Sequence, residues 1–246
     1  MNRRTFLLLS ALSPVLAKDY VVYNTDTYLN NNDLHTLKIL DKRLTRVRQY
    51  VGFANFNTIG MDDVFFYGRN YPKIGEFSHD EIALIEKLFF SNPTQFGFYG
   101  KQTVQSITNQ ISDKDIIKIP YSGHYVFGGK PYDDYQRIIK DVGSSLILTS
   151  GIRNVAKQLS LYVSKILDFQ GNISQASTII APPAYTYHAI KDFDVGKKGW
   201  GSRNFTSDFA KTPEFGRIKQ LDYVAIRYTV NNRDGVRYEP WHVKVI

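Results

Sequence analysis

The sequence predicts an α+β protein, with a mainly helical N-terminal region followed by a C-terminal antiparallel sheet flanked by helices. Three observations lead there. Leu34, Leu37, Leu40, Leu44, Val47 and Val51 recur at intervals of three and four, the spacing of an amphipathic helix. Short β-rich runs crowd the second half. Two of them are separated by Asn231-Asn232-Arg233-Asp234-Gly235, a hairpin signal.

The chain begins with an expected export signal, residues 1–17. Met1-Asn2-Arg3-Arg4 is a charged start, Phe6 to Leu12 is mostly apolar, and Val15-Leu16-Ala17 offers small residues for cleavage. Such a run is too short to span a bilayer, and no transmembrane segment is expected once it is removed. Arg3-Arg4-Thr5-Phe6-Leu7 fits a twin-arginine signal, with an ordinary Sec signal as the alternative. The expected location is periplasmic or associated with the cell wall.

Residues 18–118 read as the helical N-terminal region. Its first helix runs from Asp33, placed to cap, to Val51, with Lys38, Lys42, Arg43, Arg46 and Arg48 on the solvated face. Phe53 to Phe77, rich in Phe, Tyr, Gly and Asn, reads as an ordered but irregular packing segment. Ser78 and Glu81 form a capping box ahead of Ile82, Ile85, Leu88 and Phe89, which gives a second helix. His35 and His79 sit at helix starts and read as structural or solvent-facing.

Residues 119–246 form the second unit, with a first strand candidate at Ile116 to Ile119 just before it. Further strands fit Tyr121 to Phe127, Ser145 to Ser150, Ala189 to Val195, Tyr223 to Val230 and Val236 to Val245. Helices fit Tyr132 to Val142 and Val155 to Leu167. His124 could line a cleft but reads first as a satisfied core histidine; Trp200, Phe205 and Phe209 could wall a substrate groove but read first as packing.

The chain has no cysteine, so disulfides and thiolate metal sites are excluded, leaving His and carboxylates as transition-metal ligands. Its formal charge is +8, of which the leader carries two. The basic residues are scattered, so nucleic acid is not expected as a partner; for an exported protein an anionic wall polymer is the more natural one.

The chemistry-bearing stretch is Tyr238-Glu239-Pro240-Trp241-His242. His supplies a neutral nitrogen to zinc, and a nearby unligated Glu can take a proton from the water such a metal activates. Residues three apart on a plain strand face opposite ways, so Pro240 must bend the chain for both to share a cleft. Upstream, His188 and Asp194 add two more ligand types, and three protein ligands leave a fourth position open.

Together with Ser150-Gly151-Ile152-Arg153, these stretches resemble the VanY-type zinc D-alanyl-D-alanine carboxypeptidases, among the peptidoglycan peptidases related to hedgehog-type domains. The family pattern S-G-x-R, then S-x-H-x(6)-D, then E-P-W-H is followed in order from about Val142 to Ile246. It departs twice: Thr186 stands for the serine, and Asp194 follows His188 one residue early, which leaves Asp192 as a rival ligand.

The resemblance implies one zinc ion on His188, Asp194 and His242, with Glu239 as general base and Arg153 on an oxyanion or substrate carboxylate. Thr186, Gln158 and Trp241 join Arg153 as expected substrate contacts. The implied substrate is a peptidoglycan stem peptide, cut first at D-Ala-D-Ala. Endopeptidase cleavage elsewhere in the stem or cross-bridge and a non-hydrolytic wall-binding module that keeps the metal stay open.

Overall fold

The computed structural model describes residues 26–246, so the leader reading for residues 1–17 lies outside it. The described chain is α+β. Helix α1 (Asn31–Val51) turns Leu37, Leu40, Leu44 and Val47 fully inward. Its cap is Asn30 rather than Asp33: the Asn30 side-chain oxygen accepts from Asp33 N at 2.8 Å. Asp33 instead lies in the first turn, where its carboxylate accepts from Lys87 Nζ at 2.6 Å.

The segment expected to be irregular contains two helices, α2 (Phe53–Phe56) and α3 (Met61–Asn70). The contiguous rings Phe65, Phe66 and Tyr67 hide the apolar spacing of Met61, Val64 and Gly68, which face the core. Gly68 is required there, because a Cβ would press to 2.9 Å of the Phe77 ring. Helix α4 (His79–Phe90) starts on the Ser78–Glu81 capping box.

Strands β1 (Ile116–Ile119) and β2 (His124–Phe127) form a two-stranded hairpin. The second is shorter than its apolar pattern, since Tyr121 takes φ 60° and residues 120–123 make the turn. Helix α5 (Lys130–Val142) leads to β3 (Leu146–Ser150), then α6 (Val155–Asp168) and α7 (Ile173–Ser177). Strand β4 (Phe193–Lys197), helix α8 (Pro213–Ile218), β5 (Ala225–Tyr228) and β6 (Glu239–Lys244) complete the chain. The expected strand from Ala189 begins only at Phe193, because Tyr187–Ala189 form a 3-10 turn.

The main sheet has the order β3-β4-β6-β5, with every neighbouring pair antiparallel. Its apolar face packs on Tyr135, Ile138 and Val142 of α5 and on Phe215 and Ile218 of α8. Helix α6 belongs to the other core: Ala156, Leu159, Tyr162, Val163 and Ile166 pack with the buried stripe of α1. Each fully buried Leu, Ile or Val among them stabilises the fold by roughly 1.5–3 kcal/mol. The strand that ends in Ser150 thus feeds a helix seated on the N-terminal helices. Among the described residues no helix is long and apolar enough to cross a membrane.

Candidate metal centre

Sheet register brings the motif residues together. Asp194 on β4 is the direct partner of His242 on β6, and Ser150 at the end of β3 is the other partner of Asp194. On β6 the pairing with β5 slips between Ile226 and Tyr228, so Tyr228 lies opposite Glu239. That irregularity around Pro240 defeats strict alternation, and Glu239 Oε2 reaches 3.5 Å from His242 Nδ1.

His188 arrives on the 3-10 turn, where the Thr186 hydroxyl accepts from His188 N at 3.3 Å. Its Nδ1 lies 2.7 Å from Gly151 O. A carbonyl only accepts, so Nδ1 carries the hydrogen and Nε2 keeps its lone pair. Gly151 has to be glycine, because a Cβ would run into the Tyr125 carbonyl. Beyond it Asn154 caps α6 at 2.8 Å and bonds Thr58 O and Asn109 O, both at 2.9 Å. The helical region therefore clamps the corner that carries Arg153.

His188, Asp194 and His242 each offer one ligand atom, all within 4.8 Å of one another. His188 Nε2 is 3.2 Å and His242 Nδ1 3.6 Å from the same Asp194 oxygen. Ligands held about 2.0–2.1 Å from zinc in a tetrahedron are roughly 3.3 Å apart. His188 Nε2 and that Asp194 oxygen are buried with no hydrogen-bond partner among the described residues. Two orphaned polar atoms at ligand spacing fit a divalent cation, since burial without a partner is costly.

Asp192 stands behind His242 and outside the cluster. Its oxygens accept from Arg227 Nε at 2.7 Å and Val245 N at 3.2 Å, and His242 Nε2 lies 3.3 Å away, poorly aligned. A carboxylate in that place orients an imidazole toward a metal.

The electrostatics match this arrangement. Burial and the Arg153 charge pull the His188 pKa down to about 4, leaving a neutral imidazole. Burial works the other way on Asp194, but His188 and Arg153 outweigh it and hold its carboxyl below the usual range. His242 is also opposed by burial, yet Asp192, Glu239 and Asp194 push it up to about 9. Metal ligation requires that proton to leave. Burial raises Glu239 above an ordinary glutamate, against the pull of His242.

All eight residues expected at the site border one cleft of about 380 Å³. Arg153 bonds Ser150 Oγ at 2.8 Å and pairs with Asp194. Gln158 donates to Ala181 O at 2.7 Å, while its side-chain oxygen has no partner among the described residues. Trp241 packs edge-on to Phe205, with centroids 6.0 Å apart, and Arg237 lies over its ring. His124, expected as a satisfied core residue, borders the cleft instead, with an unpartnered Nδ1. Lys157 and Phe53 also line it, and no motif marked either.

Residues 130–246 match the family model VanY: D-alanyl-D-alanine carboxypeptidase. Over this stretch, a little under half of the chain, the sequence is similar to the VanY carboxypeptidases. Among solved structures the chain resembles a mutant of the vancomycin resistance D,D-pentapeptidase VanY from a VanB-type resistance cassette, in complex with Zn(II). That match has 19% identity and a TM-score of 0.43, covering 53% of this chain and 77% of that one. VanYB in complex with D-Alanine-D-Alanine matches at 20% identity and a TM-score of 0.43, covering 53% and 76%. The LdcB LD-carboxypeptidase matches at 17% identity and a TM-score of 0.47, covering 64% and 88%. No curated protein matches the chain.

Proposed function

We propose that the protein is an exported zinc-dependent peptidoglycan peptidase, acting first on the D-Ala-D-Ala end of stem peptides. The observation that carries this reading is the buried His188–Asp194–His242 cluster at ligand spacing in a cleft that also holds Glu239. One zinc ion would be held by those three side chains, where it supplies Lewis acidity toward a water and a carbonyl.

The remaining work falls to the chain. Glu239 takes the proton of the attacking water and delivers it to the leaving amine. Its burial supports this, because a carboxylate raised toward neutrality both accepts and returns a proton readily. Arg153 presents a guanidinium to the oxygen that gains negative charge. Thr186, Gln158 and Trp241 shape the wall on which the peptide lies. In this reading the helical region is a scaffold whose Asn57, Thr58 and Asn109 hold the Arg153 corner in place.

The test is mass spectrometry of muropeptides after digestion with the zinc-loaded protein and with Glu239→Gln. Loss of terminal D-Ala with the wild type, and a drop of about 10²–10⁴-fold in the variant, is expected. Cleavage inside the stem or cross-bridge would make it an endopeptidase. No release from either protein, with zinc bound, would leave a wall-binding module.

A further inference from the structure

Lys157 is an unusual cation. It lies in the first turn of α6, is only 8% exposed, and borders the cleft. Lysines are rarely buried without a partner. Here no carboxylate lies within ion-pair distance of it among the described residues, and no hydrogen bond engages its ammonium. Its contact is with a ring: Nζ sits 4.9 Å from the centroid of Phe53, whose edge meets His124 at 5.2 Å.

The charges around it are positive. Burial and the neighbouring Arg153 and Arg48 pull its pKa down to about 8, so it stays largely protonated at neutral pH. Of the acids bordering the cleft, Asp194 pairs with Arg153 and Glu239 faces His242. The positive end of α6 lies at the same corner. A buried ammonium in an open cleft, positioned by an aromatic face and lacking an anion, is a subsite for one.

We propose that Lys157 binds a carboxylate of the peptide substrate at this end of the cleft. The assignment rests on the peptidase reading above. The carboxylate is either the C-terminal one or that of an acidic residue within the peptide. The two sources differ in consequence, since only the first favours chain ends over internal bonds.

The experiment uses three pentapeptides ending in D-Ala-D-Ala: one with a single internal carboxylate, its C-terminal amide, and its internal amide. Binding to the zinc-loaded Glu239→Gln protein is measured by calorimetry, with and without Lys157→Met. Masking the right carboxylate weakens binding about 10- to 100-fold when Lys157 is present. The same mask has no further effect with Lys157→Met, and Lys157→Arg restores most of the affinity. Which mask acts identifies the carboxylate.

Equal binding of the free peptide with and without Lys157 overturns the proposal, as does an equal response of both proteins to both masks. Failure to bind any of the peptides overturns it as well. In that last case D-Ala release by the wild type reports separately whether the peptidase reading stands. Thermal unfolding guards the interpretation: a residue needed only for folding would lower the melting temperature on Lys157→Met, whereas removing an unpaired buried charge leaves it unchanged or raises it.

Discussion

Two buried glutamates separate the halves of this molecule. Glu81, in the helical region, is 1% exposed; its carboxylate accepts from Arg43 Nε at 2.8 Å and from Ser78 N at 2.9 Å. Glu239, in the cleft, is 8% exposed, its nearest cation other than His242 is Arg237 at 4.0 Å, and burial raises its pKa. The first is fully engaged and the second is not. The same contrast holds for the surroundings, since the α1–α4–α6 core is built of apolar side chains, whereas six of the eight orphaned buried polar atoms among the described residues belong to residues that line the cleft. Stability resides where groups are satisfied, and chemistry where they are left short.

The sharpest way to break the comparison is to exchange the effects of the two residues. Glu239→Gln should cost about 10²–10⁴-fold in D-Ala release, while the unfolding free energy of the zinc-loaded protein in urea shifts by less than about 1 kcal/mol. Glu81→Gln should do the reverse. It costs about 1–3 kcal/mol in unfolding, because Arg43 and the Ser78 amide lose a charged acceptor, and leaves turnover per folded molecule intact. Equal stability losses in both variants would erase the distinction.

A comparable loss is expected from the aliphatic stripe. Leu44→Ala, at a position with no exposure in the contact between α1 and its neighbours, should lower unfolding free energy by about 2–5 kcal/mol. Zinc content of the folded fraction should not change. A fall in metal content would mean that the helical core and the site are more tightly joined than the corner contacts at Asn154 indicate.

The last effect, a pH-dependent one, concerns Lys157. Its pKa is about 8 in the fold against 10.5 when free, so between those values the folded state holds fewer protons than the unfolded one. This residue's contribution therefore makes stability rise with pH across that window. Lys157→Met should be more stable than wild type near pH 7.5, and the gap should narrow by pH 9.5. At about 1.4 kcal/mol per pKa unit, a shift from 10.5 to about 8 caps the pH-dependent gap at roughly 3.5 kcal/mol. A gap that does not change with pH would mean the ammonium is not held neutral-leaning by burial.

Much of this architecture was legible in the sequence, for physical reasons that can be named. Residues whose spacing follows a single period, such as the α1 stripe and the Ser78–Glu81 box, report their structure directly. The consecutive rings Phe65, Phe66 and Tyr67 blur that period and conceal α3. His188 and His242 stand out through their motifs; the β4–β6 register pairs Asp194 with His242, and the 3-10 turn before β4 brings in His188. The separation of Asp194 from Asp192 needed the structure, because it depends on where the strand begins after the 3-10 turn. His124 was open to either reading, core or cleft, and Lys157 carried no signal at all. A lysine in a helix reads as solvated unless its neighbours are known, and the neighbour that covers it, Phe53, lies about a hundred residues earlier.

The central claim is that His188, Asp194 and His242 hold one divalent ion. Anomalous diffraction at the zinc edge from crystals of the zinc-loaded protein tests it most directly. One peak is expected, in contact with His188 Nε2, a single oxygen of Asp194 and His242 Nδ1, with Asp192 not bonded to it. A peak ligated by Asp192 in place of Asp194, or zinc found only outside this cleft, would contradict it.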